Sequence, residues 1–121
     1  MREIKFRAIM AGTDNWVYGY PFEVYKNGID SIQNNNGCEY IRIDTLGQFT
    51  GLKDKNGKEI YEGDIARIES DILIPFEGYE GVIKFMESGF YIDNEKEAYS
   101  VWSDAYEIRI LGNIYENPEL L

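Results

Sequence analysis

Hydrophobic and polar residues alternate in short runs along most of this chain, and glycine and asparagine lie between the runs. At the start, Ile4, Phe6 and Ala8 alternate with Lys5 and Arg7, and a period of two is typical of an extended strand with one buried face. We therefore expect a half-buried strand over residues 3–9. Comparable runs predict further strands at residues 16–20 (ended by Pro21), 39–44, 65–68, 81–86, 89–92 and 107–114.

Two hairpins are predicted from the turn residues. Lys26-Asn27-Gly28 separates the runs 22–25 and 29–32, and Asn-Gly supplies the positive φ angles of a type I′ turn. Glu87-Ser88 separates the runs 81–86 and 89–92, which pair naturally across it.

The segment 93–106 is ambiguous. Asn94 and Glu97 have the spacing of a helical capping box, whereas residues 98–102 are strand-like. We favour a turn, a short strand and one helical turn near Ser103-Asp104.

The whole pattern predicts the fold class. No repeat of about 20–50 residues is present, and no helical pattern exceeds about three turns. Many short strands punctuated by glycine predict a mainly antiparallel β fold that closes into a small barrel. A length of 121 residues fits one compact domain.

Composition excludes several kinds of chemistry. The chain has no histidine and one cysteine, Cys38, so Ser-His-Asp and Cys-His catalysis, zinc sites of cysteine and histidine, and an internal disulfide are all excluded. We expect no metal and no cofactor. The 22 acidic residues outnumber the 12 basic ones, and all of the excess lies in the second half. A field of this sign repels nucleic acid.

The sequence predicts neither a membrane span nor an export signal. No apolar run approaches the length of a membrane span, and the first residues alternate charge with hydrophobe instead of forming a signal peptide. We expect a cytoplasmic protein without a membrane partner.

Two ligand-binding motifs fail on spacing. Five residues separate Gly51 from Gly57, whereas a phosphate-binding loop needs four, and Lys58 is followed by Glu59 instead of serine or threonine. In Asp54-Lys55-Asn56-Gly57 the glycine comes fourth, whereas a calcium loop of the EF-hand type needs it sixth.

Paired carboxylates are the remaining catalytic candidates. Glu62 and Asp64 are two residues apart, so on an extended strand they would share a face, where mutual repulsion raises one pKa as acid–base catalysis requires. We favour the alternative in which Asp64 caps a turn and Glu62 is solvated.

Aromatic residues are abundant, with ten tyrosines, six phenylalanines and two tryptophans. Packing in the core and at its rim is favoured for most of them. Those beside polar or loop residues could instead stack on bases or sugars or anchor an interface: Tyr18, Tyr20, Tyr25, Tyr79, Tyr99 and Tyr106.

The segment 49–65, Phe-Thr-Gly-Leu-Lys-Asp-Lys-Asn-Gly-Lys-Glu-Ile-Tyr-Glu-Gly-Asp-Ile, resembles the signature of the YopX family, small proteins of phages and prophages. Residues 2–8 and 110–121 agree with the family in order and place, so the resemblance brackets nearly the whole chain. The chain departs from it at Ile9-Met10, where Trp-Asp is usual, and at Phe49, where tyrosine is usual.

The resemblance implies a mainly β protein with an SH3-like barrel, encoded by a phage or mobile element and acting in the bacterial cytoplasm. It implies one domain over residues 1–121, with an N-terminal β part at 1–48 and a barrel-like part at 49–121. It supplies no activity and no catalytic residues. Within the signature, we assign a candidate binding set to Lys53, Asp54, Tyr61, Glu62 and Asp64.

Three functions follow as hypotheses. We prefer a non-catalytic module that binds a protein partner or a second copy of itself, one form of which uses the acidic half as a DNA mimic. The second is a nucleic-acid binder whose cations are Arg2, Lys5, Arg7, Lys53, Lys55 and Lys58. The third is an enzyme using Glu62 and Asp64, with or without Mg²⁺.

Overall fold

A computed structural model describes residues 4–26, 28–70 and 75–121. The chain divides into two compact units, Met1–Phe49 and Thr50–Leu121. Across the described residues, the regular structure consists of β-strands and two 3₁₀ turns, and no α-helix occurs there. The prediction of a mainly antiparallel β fold with short helical turns is therefore confirmed.

The first unit is a sheet of short antiparallel strands in the order β4-β3-β2-β1-β5. The strands are β1 (Phe6–Ile9), β2 (Trp16–Phe22), β3 (Ser31–Asn34), β4 (Gly37–Tyr40) and the start of β5 (Gly47–Lys53), with a 3₁₀ turn at Ile43–Thr45.

The core of the first unit is small. Ala8, Ile32 and Ile41 are buried, and Val17 and Leu46 pack against them. The alternation in the sequence produces this core, because Ala8 pairs with Val17 and Ile32 pairs with Pro21, so the apolar side chains share one face.

In the second unit, β6 pairs with the end of β5, and a five-stranded antiparallel sheet has the order β10-β9-β8-β7-β11. The strands are β6 (Glu59–Tyr61), β7 (Asp64–Glu69), β8 (Glu80–Met86), β9 (Gly89–Asp93), β10 (Ala98–Ser100) and β11 (Glu107–Asn113), followed by a 3₁₀ turn at Pro118–Leu120. The pairing of β11 with β7 shifts between Ile110 and Gly112, which is a β-bulge.

The second unit has the larger core. Seven of its eight buried apolar side chains come from five strands and one from the residue after β10, and none is more than 6% exposed. They are Ile60, Ala66, Ile68, Ile83, Phe90, Ile92, Val101 and Ile108.

The strand pairing does not close into the predicted barrel. The hydrogen-bonded neighbours of the five-stranded sheet end at β10 on one side and at β11 on the other, so among the described residues the sheet is open. Closure of a barrel requires the two edge strands to pair with each other.

Several local predictions were wrong in the first unit. β2 continues through Pro21 to Phe22 because Pro21 still pairs with Ile32. The strands expected at 22–25 and 29–32 have other bounds, because β2 ends at Phe22 and β3 begins at Ser31, and the Asp30 carboxylate accepts a bond from the Val24 N–H. The tight turn predicted at residues 26–28 falls on Asn27, which lies outside the described residues. The strand expected at 39–44 ends at Tyr40, followed by a bridge at Ile41 and the 3₁₀ turn.

In the second unit the hairpin at Glu87-Ser88 is confirmed, since β8 and β9 pair as far as Met86 and Gly89 and both turn residues have positive φ. The short strand expected within 98–102 is also confirmed as β10. The helical turn predicted at Ser103-Asp104 was wrong, because Ser103 has no regular structure and Asp104 lies in a bend.

We expect Gly81→Ala to lower the free energy of unfolding by about 1–3 kcal/mol, because the new Cβ would lie 2.7 Å from the backbone oxygen of Asp93. Gly89→Ala, in the same hairpin, is the matched control. Its Cβ would meet only the Tyr91 ring at 3.4 Å, and we expect a change within about 0.5 kcal/mol. Urea denaturation of both variants measures the difference, and equal losses would contradict this account of the close approach.

Candidate functional site

The Asp54 side chain organises the turn between β5 and β6. Its Oδ1 accepts bonds from the N–H groups of Asn56 (2.8 Å) and Lys58 (2.9 Å), and its Oδ2 accepts one from the N–H of Ile110 in β11 (3.0 Å). Carboxylates accept backbone N–H bonds strongly because the acceptor is charged. Asp54, itself buried, therefore both shapes the turn and ties it to a strand 56 residues away.

Asp64 and Tyr61 form the next turn of the signature. Asp64 is 1% exposed, and its Oδ2 accepts the N–H of Tyr61 at 2.8 Å. The Tyr61 ring is buried too, and its hydroxyl donates to Glu59 Oε1 at 3.1 Å. Asp64 thus caps a turn, as the favoured interpretation of the sequence expected.

The catalytic interpretation of Glu62 and Asp64 required both residues to lie on one extended strand. Glu62 lies in the turn, half-buried, and Asp64 is the first residue of β7. The structure thus gives the two carboxylates different backbone settings. Lys53, the remaining member of the predicted binding set, is exposed at the end of β5.

Gly63 occupies a position that only glycine fits easily. Its φ is +89°, and a Cβ there would lie 3.1 Å from the ring of Tyr115. Its N–H donates to the Ile83 oxygen, and its oxygen accepts the N–H of Ile114, both at 2.9 Å. The turn between β6 and β7 is thereby bonded to β8 and to the segment after β11.

A reciprocal pair of asparagines closes that C-terminal segment. Asn113 Oδ1 accepts the N–H groups of Tyr115 (3.0 Å) and Glu116 (2.9 Å), and Asn117 Oδ1 accepts the N–H of Asn113 (3.1 Å). A Cβ at Gly112 would lie 2.4 Å from Asn117 Oδ1, so this arrangement needs glycine there.

The cleft beside the turn between β5 and β6 is small. It measures about 240 Å³, below the roughly 300–1,000 Å³ typical of ligand pockets. Its walls are Leu52, Lys53, Asp54, Lys55, Ile60, Val101, Ser103, Tyr106, Glu107 and Ile108.

Several charged side chains on and beside the five-stranded sheet form ion pairs. Glu69 Oε1 accepts a hydrogen bond from Lys55 Nζ at 2.8 Å, and Glu69 Oε2 lies 3.0 Å from Arg109 Nε. The hydrogen bond from Lys55 lowers the pKa of Glu69, and the bond from Lys84, at 2.8 Å, lowers that of Asp93. Lys84 and Asp93 also line a wider cleft of about 430 Å³ that ends at Leu120 and Leu121.

The six tyrosines predicted as possible platforms divide into two groups. Tyr79, Tyr99 and Tyr106 pack against the core of the second unit and around Phe76, whose ring centroid lies 4.5 Å from that of Tyr99 in a stacked pair. Burial raises the pKa of both Tyr79 and Tyr106. These three are packing residues.

The other three tyrosines, Tyr18, Tyr20 and Tyr25, lie in the first unit and are exposed. Tyr18, Tyr20 and Phe22 alternate along β2 and therefore point to one face of its sheet. Tyr40 reaches the same face, because Phe22 pairs with Ser31 and Ser31 pairs with Tyr40. Tyr25 stacks on Tyr40, with their rings 6.2 Å apart and 4° from parallel.

We call the rings of Tyr18, Tyr20, Phe22, Tyr25 and Tyr40 the aromatic face. Each is between 44% and 69% exposed. Sequence reasoning missed Phe22 because Pro21 was taken to end the strand, and it missed Tyr40 because the partner register of β3 and β4 is not visible in the sequence. The alternation of aromatic residues at Tyr18, Tyr20 and Phe22, continued past Pro21, could have indicated that Phe22 belongs to the same strand face.

The described residues include neither a membrane-spanning helix nor a cluster of metal ligands. No helix in residues 4–26, 28–70 and 75–121 is long and apolar enough to span a membrane. Within the same ranges, no three cysteine, aspartate or glutamate side chains converge in a way that would hold a metal ion.

Comparison with known proteins identifies a family and a similar fold. The family model described as YopX protein matches residues 5–121. The crystal structure of protein EF1440 from Enterococcus faecalis is similar over 100% of this chain and 99% of that one, with a TM-score of 0.65 and 24% sequence identity, which is a likeness of fold. Among curated proteins, the sequence search finds no match.

We expect Asp54→Ala to lower the free energy of unfolding by at least about 2 kcal/mol, since three backbone N–H groups lose a charged acceptor. Asp54→Asn should lose less, because an amide oxygen still accepts. Asp104→Ala, at an exposed bend, removes the same charge and should change stability by no more than about 0.5 kcal/mol. Thermal and urea denaturation compare the three, and an Asp54→Ala variant as stable as Asp104→Ala would contradict the assigned role.

Glu69 should make folding pH-dependent in the acid range. Because pairing lowers its pKa in the folded state, its contribution is complete above the unfolded pKa of about 4.3 and is lost as the pH falls through the folded value. The stability difference between the wild type and Glu69→Gln should therefore stay constant from about pH 6 to 8 and shrink below about pH 4. Urea denaturation across that range measures it, and a difference that grows on acidification would have the wrong sign.

Proposed function

The chain belongs to the YopX protein family, and we propose that this member acts by contact: it is a non-catalytic module that binds a protein partner or a second copy of itself. We place it in the cytoplasm of a bacterium that carries phage-derived genes. We further propose an SH3-like arrangement for residues 50–121, supported by the antiparallel order β10-β9-β8-β7-β11 beside the paired β5 and β6.

The hydrogen bonding of the signature is the first support for a non-catalytic role. Asp54 gives its carboxylate to three backbone N–H groups, and Asp64 gives an oxygen to a fourth. An acid or base catalyst must reach its substrate within hydrogen-bond distance, whereas both carboxylate oxygens of the buried Asp54 and Oδ2 of the buried Asp64 accept bonds from backbone N–H groups.

The aromatic face is the observation that carries the proposal of contact. Five tyrosine and phenylalanine rings, each about half exposed, lie together on one unit of a small protein. Exposed aromatic clusters are typical of interfaces, where tyrosine contributes large area at low entropic cost.

The nucleic-acid alternative is weakened by what its proposed cations contact. Lys55 pairs with Glu69, Lys5 lies 5.2 Å above the Phe49 ring, and the Arg7 guanidinium lies 4.4 Å above the Trp16 ring with the residue only 5% exposed. Of the other three cations, Lys53 and Lys58 are exposed, and Arg2 lies outside the described residues. Charge also opposes phosphate binding, because residues 50–121 hold seven basic and sixteen acidic side chains.

The proposal is tested by size-exclusion chromatography with light scattering at low and high salt, together with retention of host proteins on the immobilised chain. We expect a species larger than the monomer or a retained partner. Self-association should persist or strengthen at high salt, since salt screens repulsion between acidic surfaces and does not weaken apolar contacts. A strict monomer that retains no protein would contradict the proposal, and salt-sensitive binding of an oligonucleotide in fluorescence anisotropy would favour the alternative.

A further inference from the structure

Resting on the proposed function of partner binding, we propose that a cleft on the five-stranded sheet binds a basic and partly apolar segment of the protein partner, and that it holds a lysine or arginine side chain of that segment. The cleft, of about 430 Å³, is the wider of the two described above. We call it the sheet cleft, and its lining includes Ile65, Glu80, Val82, Asp93, Glu95 and Leu120.

The floor of the sheet cleft is apolar and lies on the face of the sheet opposite the core. Ile83 of β8 packs into the core of the second unit, so its neighbours Val82 and Lys84 point to the other face. Val82 pairs with Ile65 in β7 and with Asp93 in β9, which places these three side chains in one row across the strands. The row therefore consists of two aliphatic side chains with a carboxylate at one end.

The size and the walls of the sheet cleft suit a long side chain. Its volume lies within the roughly 300–1,000 Å³ typical of ligand pockets, unlike that of the cleft beside Asp54. Leu120 and Leu121, which also line it, are 43% and 72% exposed, so they offer apolar area that an occupant can cover. Lysine and arginine cover apolar surface with their methylene stems while the charged group stays in water.

The charges that line the sheet cleft are mainly negative. Among the described residues, Glu80, Asp93 and Glu95 contribute three carboxylates to the lining and Lys84 contributes one ammonium group. The hydrogen bond from Lys84 Nζ to Asp93 Oδ2, at 2.8 Å, lowers the pKa of Asp93, so this carboxylate is ionised at neutral pH. Glu80 Oε2 accepts a hydrogen bond from Arg67 Nε at 2.8 Å. Two of the three carboxylates are thus paired, and Glu95 remains.

Glu95 is the carboxylate available to an occupant. It lies exposed in the bend between β9 and β10, and its N–H donates to Asp93 Oδ1 at 3.2 Å, which keeps the residue beside the cleft. Within the described part of the chain, no hydrogen bond or ion pair engages the Glu95 carboxylate. An ammonium or guanidinium group in the cleft therefore gains a charged hydrogen-bond acceptor.

Charge separates this occupant from the others. A nucleic acid would bring negative charge to three carboxylates, on a unit whose residues 50–121 already hold sixteen acidic and seven basic side chains. A second copy of the same unit would bring the same excess of negative charge. A purely apolar segment would cover carboxylates without pairing them, which is costly. A basic segment with apolar neighbours matches both the floor and the carboxylates.

Fluorescence anisotropy of the full chain with a short fluorescein-labelled peptide, in which arginine alternates with leucine, tests this site. We expect saturable binding that weakens as salt is added, because salt screens exposed charges. Glu95→Lys should weaken binding at least about threefold, since it replaces the available carboxylate with a like charge. Glu87→Lys is the matched control. Glu87 is also an exposed glutamate with positive φ but lies in the hairpin turn outside the sheet cleft, so its variant should bind as the wild type does.

A second pair of variants tests the floor. Val82→Lys places a cation on the floor and should weaken binding at least about tenfold, because like charges repel and aliphatic surface is lost. Met86→Lys is its control, since Met86 is likewise half-buried on the same face of β8 but does not line the cleft. Circular dichroism checks that both variants fold, and Glu95→Lys decides the outcome if Val82→Lys does not.

Absence of peptide binding, or equal losses from Glu95→Lys and Glu87→Lys, would overturn the sheet cleft as the site. Equally tight binding of a peptide in which serine replaces leucine would also overturn it, because the apolar floor would then contribute nothing. The proposed function keeps its own test. A Val82→Lys chain that retains a host protein as well as the wild type does would support partner binding and overturn this cleft.

Discussion

The second unit depends on carboxylate and amide side chains whose oxygens accept hydrogen bonds from backbone N–H groups in the turns and in the edge strand β11, where no neighbouring strand supplies a carbonyl acceptor. The Asp54 carboxylate is the central case, since it satisfies two N–H groups inside its own turn and one in β11. Buried backbone N–H groups without acceptors are costly, so a chain with many turns and few long strands needs such acceptors. Asp64, Asn113 and Asn117 act in the same way at neighbouring turns.

This dependence explains why two segments far apart in sequence resemble one family together. Residues 49–65 and 110–121 meet through the bonds of Asp54 to Ile110 and of Gly63 to Ile114. Gly63 and Gly112 are required by close approaches to Tyr115 and Asn117, both in the C-terminal segment. The two segments therefore form one hydrogen-bonded structure, and their residue types are set by it.

Alternation and turn chemistry predicted much of this fold because those signals are local. The hairpin at Glu87-Ser88 and the last strand follow directly from them. The bounds of β2 and β3 were missed because they depend on the pairing of Pro21 with Ile32 and on the bond from the Val24 N–H to the Asp30 carboxylate, 6 residues along the chain. Arg7 looked like a solvated residue of an alternating strand, yet it is buried because the Trp16 ring covers it from the next strand. Contacts of this kind depend on register, which the sequence does not reveal.

The candidate site shows the same division. Sequence alone predicted that Asp64 caps a turn, and it named Tyr18, Tyr20 and Tyr25 as aromatic residues available for contact, but it could not separate them from Tyr79, Tyr99 and Tyr106, which are packed. Only the register of β2, β3 and β4 brings Phe22 and Tyr40 to the same face. Since the signature residues named here are committed to holding turns and strands together, they identify the scaffold and carry little information about what it binds. The aromatic face, in contrast, lies in sequence entirely within the first 40 residues, outside both residues 49–65 and residues 110–121, so its residue types are not set by that hydrogen-bonded structure.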